Sequence, residues 1–146
     1  MRHKQILSAN RGQSLLEVIV VVAVVVTLIS GLLVGTTYTL RTGAFAKVKG
    51  QSVKAAQEGI ELARQLRDEG WQAFVDSQGS WCLSEDGAWT ALSGSCPINI
   101  GTRLTRLVEL TWNAVDQRME ALVTVSWQEG TTTYQSQLES YFTQWK

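Results

Sequence analysis

Between Leu15 and Val34 the chain carries one charge, Glu17, in a run that is otherwise uncharged and mostly aliphatic. As a helix, that run of about 20 residues is about 30 Å long, enough to cross the hydrocarbon layer of a bilayer. It is rich in valine, a mediocre helix former in water. Lipid offers the backbone no partner but itself, so helix wins there. Met1 to Gly12 is polar and basic, with Arg2, Lys4 and Arg11, and should have no fold of its own. The positive-inside rule keeps this leader in the cytoplasm and places the remainder on the other side. A secretory signal peptide would have an apolar core of roughly 7–15 residues with its cleavage site after it. Here the core is longer.

Glu17 needs a reason. A charge at the centre of a bilayer helix costs roughly 2.5–3.5 kcal/mol on insertion scales. The helix dipole favours a carboxylate in the first turns, which explains tolerance but not purpose. The stretch Arg11-Gly12-Gln13-Ser14-Leu15-Leu16-Glu17 resembles the N-terminal signature of type IV pilins and type II secretion pseudopilins. In that family a prepilin peptidase cuts after the glycine and N-methylates the new first residue. The fifth mature residue is a glutamate, and a long apolar helix follows. Gly12 matches the residue before the cut, Gln13 the new methylated terminus and Glu17 the glutamate.

The resemblance implies a subunit stored in the cytoplasmic membrane as a single-pass protein, N-terminus inside, and later moved to a cell-surface or periplasmic filament. The implied partners are other pilin or pseudopilin subunits, the prepilin peptidase, an inner-membrane assembly platform and membrane lipid. Cleavage would leave a free amine on Gln13. A stagger of stacked helices can set one subunit's Glu17 beside the next subunit's amine, a pairing strongly preferred over an unpaired charge in an apolar core. Gln13 stands where phenylalanine is usual. Many major pilins have a proline near the position of Val34, whereas the only proline here is Pro97. With the wording Leu15-Leu16-Glu17-Val18, this looks more like a minor pilin or minor pseudopilin. The plain alternative is an uncleaved signal anchor whose Glu17 reaches up to the interface.

Residues 1–12 are thus a cleaved leader and 13–41 a transmembrane or filament-core helix. From Thr42 to Gly70 the spacing of Ala44, Phe45, Val48, Val53, Ala55, Ala56, Ile60, Ala63 and Leu66 predicts an amphipathic helix with a small-residue face suited to a sheet. Lys47, Lys49, Lys54, Glu58, Glu61, Arg64 and Arg67 occupy most of the other face, which reads as solvated. Gly70 is a stop signal. Gly43, Gly50 and Gly59 weaken the helix, and a kink near the membrane exit is expected. Residues 71–100, full of Gly, Ser and Asp, read as a loop with short strands at most. Trp71, Trp81 and Trp89 serve either as binding anchors or as cover for the loop's own small core.

Alternation over Arg103–Trp112, Arg118–Trp127 and Thr132–Phe142 predicts strands of an antiparallel sheet with one wet face. The fold class is therefore α+β: a long N-terminal helix, apolar then amphipathic, packed on about three to four strands within 101–146. The type IV pilin resemblance implies the same architecture. Cys82 and Cys96 bracket the loop and lie on the extracytoplasmic side, where a disulfide persists. Two free buried thiols are the other reading.

Several function classes fall away. His3 is the only histidine, and it lies in the leader, so histidine-based catalysis or zinc binding is not expected after processing. No Gly-rich phosphate loop occurs, and no catalytic residues or cofactors are expected. The chain has 13 basic and 13 acidic residues, and losing the leader makes it mildly acidic. That gives no footprint for nucleic acid. Two readings remain: a structural subunit, minor in the resemblance's terms, of a pilus or secretion pseudopilus, and a membrane-anchored extracytoplasmic binding module that does not polymerise.

Overall fold

The computed structural model describes residues 11–144, with side chains from Leu15 onward. Helix α1 runs from Arg11 to Glu69, and the short helix α2 from Trp71 to Asp76. Five strands follow: β1 Gly79–Leu83, β2 Trp89–Ala91, β3 Leu104–Asn113, β4 Arg118–Glu129 and β5 Thr132–Thr143. They form one antiparallel sheet in the order β2-β1-β3-β4-β5. The chain divides into two compact units at Phe45 and Ala46.

In the first unit every described residue from Leu15 to Ala44 is exposed. In the second, α1 buries a face against the sheet: Val48, Ser52, Ala55, Ala56, Gly59, Ile60 and Ala63. Two expectations change here. Val53 is 41% exposed, and Ser52 takes the buried position instead. Gly59, read as a weak point, lets the helix come close to the sheet. A Cβ there would lie 2.9 Å from Val123 Cγ1 and 3.2 Å from Arg106 Cδ. Six glycines fall within α1, which is helical from Arg11 to Glu69.

The sheet has more strands than the alternation indicates. It reaches back into the segment read as a loop, which supplies α2, β1 and β2. Periodicity cannot reveal elements of six, five and three residues. The core face of β3 and β4 carries Leu104, Arg106, Val108, Leu110, Met119, Ala121, Val123, Val125 and Trp127, all buried. Cys82 pairs with Leu107 in register and so lies on the opposite face. Its disulfide to Cys96 holds the following segment over that face. Helix α2 covers the end of the core: Phe74 is fully buried and meets Phe142 edge-on at 5.6 Å.

The tryptophans of the loop segment pack on their own neighbours. Trp71 lies against Phe74 and Trp112, Trp81 meets Trp89 at 78°, and Trp81 Nε1 donates to Ser77 O at 2.8 Å.

Candidate functional site

In the first unit the side chains described from Leu15 to Ala44 are all exposed. Leu15 to Val34 forms a helix long and apolar enough to cross a membrane, with none of it buried. The hydroxyls along and beyond it are satisfied by the helix itself. Thr27 donates to Ala23 O at 2.8 Å, Ser30 to Val26 O at 2.8 Å, Thr37 to Leu33 O at 2.5 Å and Thr39 to Gly35 O at 2.9 Å. An apolar solvent or a partner helix therefore meets no unbonded hydroxyl at these four positions.

Small residues recur every fourth position: Ala23, Thr27, Gly31, Gly35, Thr39 and Gly43. A Cβ added at Gly31, Gly35 or Gly43 would meet nothing within 4 Å. Residues four apart stack along one ridge of a helix, and small side chains there let a second backbone come close. This period-four ridge is legible in the sequence.

Glu17 is exposed on this helix, and among the described residues no hydrogen bond or ion pair engages its carboxylate. Gly12 and Gln13 fall in the first turn of α1. Their surroundings lie outside the described residues, as does the leader up to Asn10.

The second unit holds the other expected feature, the Cys82–Cys96 disulfide. It borders a hollow lined by Ser84, Thr90, Ser93, Ser95, Pro97 and Asn99. Beside the hollow, the Ser84 hydroxyl donates to the Asp86 carboxylate and holds its pKa below the usual 3.8, helped by backbone donors. The stabilisation from that bond is present above the unfolded pKa and is lost as the pH falls through the lowered one.

The most constrained charge in the second unit is Arg106, which the alternation places on an otherwise apolar face. It is 1% exposed. Its guanidinium donates to Ala55 O of α1 at 2.9 Å, Leu83 O of β1 at 3.1 Å and Ser84 O at 2.5 Å. Glu58 lies 3.7 Å away. Burial lowers the Arg106 pKa, while Glu58 and Glu85 oppose that shift. Gly59 leaves room for the stem of this side chain.

Some charges read as solvated are engaged too. Lys49 Nζ donates to Ser136 Oγ at 2.9 Å, and Ser136 shares a 2.6 Å hydrogen bond with buried Ser52. Arg67 lies over the Phe142 ring at 5.5 Å. Among the described residues no group of three His, Cys, Asp or Glu side chains is placed to hold a metal ion. No family model, curated protein or solved structure matches the chain.

Proposed function

We propose that this chain is a minor structural subunit of a type IV pilus or a type II secretion-like pseudopilus. It is stored in the cytoplasmic membrane, cut between Gly12 and Gln13, and assembled through α1. The observation that carries the reading is the division of labour along one continuous helix. Its C-terminal part is covered by the chain's own sheet. Its N-terminal part exposes an apolar surface with a ridge of small residues and a single carboxylate. Lipid satisfies the apolar surface during storage, and neighbouring helices satisfy it after assembly. Glu17 then pairs with the Gln13 amine of the adjacent subunit and penalises wrong registers. The exported head carries the disulfide in an oxidising compartment.

Mass spectrometry of sheared filaments tests this directly. The expected N-terminal peptide begins at Gln13, in its methylated or unmethylated form. A chain that keeps residues 1–12 and is missing from filaments would instead be a membrane-anchored binding module.

A further inference from the structure

The sheet ends differently on its two sides. On one side β2 is three residues long and runs on into the disulfide-held segment. On the other, β5 is twelve residues long and pairs with β4 from Thr132 to Thr143. Among the described residues no strand lies beyond it. A free edge presents unpaired N–H and C=O groups, and proteins usually protect it with lysines, prolines or bulges. Strand β5 has no lysine, arginine or proline, and Glu139 is its only charge. Its register with β4 is unbroken, so no bulge turns the edge away. Lys49 Nζ reaches the backbone there, donating to Gln135 O at 3.2 Å.

The core face of β5 is also incompletely covered. Ser136 and Phe142 are buried, but Leu138 remains 37% exposed, and Tyr134, which stacks on Trp127 at 5.7 Å, remains 38% exposed. A free backbone edge thus runs beside two half-open apolar side chains four residues apart.

We propose that β5 is a docking edge for an extended segment of a partner protein, which adds to the sheet as a sixth strand. Main-chain bonds to alternate β5 residues would supply affinity, and side chains over Tyr134 and Leu138 would supply selectivity. Glu139 calls for a lysine or arginine opposite it. The segment is otherwise uncharged, apolar at alternate positions and free of proline. A second copy of this chain fits less well. Antiparallel pairing of two β5 strands about a two-fold axis reverses α1 in one copy, whereas copies sharing a membrane, on the reading above, keep α1 in one direction.

The test uses the full chain in detergent micelles. The probe is an end-blocked peptide of alternating valine and threonine with one central lysine, and the control is the same peptide interrupted by prolines. Amide exchange followed by NMR should slow at alternate residues of β5 and nowhere in β1 or β2, with the proline peptide inert. Leu138→Lys, at a half-open position, should keep the melting temperature and weaken binding roughly tenfold or more. Glu139→Lys should move the preference to a peptide with a central glutamate. No slowing, slowing scattered over the head, or β5 already protected by self-association would each overturn the docking edge. Filament incorporation is scored separately. A chain that enters filaments yet ignores the peptide overturns only this inference. One that binds the peptide but keeps residues 1–12 overturns only the assembly reading.

Discussion

Glu17 and Arg106 are both charges set among apolar neighbours, and the chain treats them in opposite ways. Arg106 finds three carbonyls and a carboxylate within its own fold. Replacing it with methionine keeps much of the volume but removes three charge-assisted hydrogen bonds. Bonds to a charged group contribute about 1.5–3 kcal/mol each, so a loss of about 3 kcal/mol or more is expected in urea unfolding of the head. Arg106→Lys should recover only part of it, because one ammonium cannot reproduce the planar fork. Glu17 has no such partners among the described residues. Glu17→Ala should insert into membranes as well as the wild type and leave head stability unchanged. Its incorporation into sheared filaments, at matched membrane levels, should fall. On the proposed assembly, a neighbouring Gln13 amine buried without a partner would cost about 3–5 kcal/mol. Wild-type incorporation would remove the register role.

At the scale of elements, α1 uses its glycines for different ends. Gly50 faces open space, so Gly50→Ala should stabilise the head by about 0.5–1 kcal/mol through backbone entropy. Gly59 sits against Val123 and Arg106, and Gly59→Leu should destabilise by about 1–3 kcal/mol or more through overpacking. Thermal melts of the two variants should move in opposite directions. The sequence marks both positions as equally unfavourable to helix, and only the neighbouring strand tells them apart. Strands β3 and β4 were legible because both alternate without a break and their partners on the core face are local in pattern. Strand β5 was legible as an element. Its half-open face was not, since Tyr134 and Leu138 look like core residues until the reach of α1 over the sheet is known.

For the whole molecule, the disulfide is a local fastening rather than a requirement of the main core. It closes a sequence separation of 14, a loop worth about 3 kcal/mol in the chain-entropy account. Reduction, or Cys82→Ser with Cys96→Ser, should lower the melting temperature. Amide exchange should rise across residues 84–103, while β4 and β5 stay protected. Uniform exposure of all five strands would show that the fastening holds the entire head. The sequence by itself determined the division into an apolar helix and a folded head, the long α1 and the three long strands. Those features rest on local periods, 3.6 for a helix and 2 for a strand, and on lipid leaving the backbone no other partner. The tertiary structure alone decided that the sheet extends back to β1 and β2, that Ser52 is buried in place of Val53, and that Arg106 joins α1 to β1. Each of these depends on groups from distant parts of the chain converging on one point, and no local period encodes which will meet.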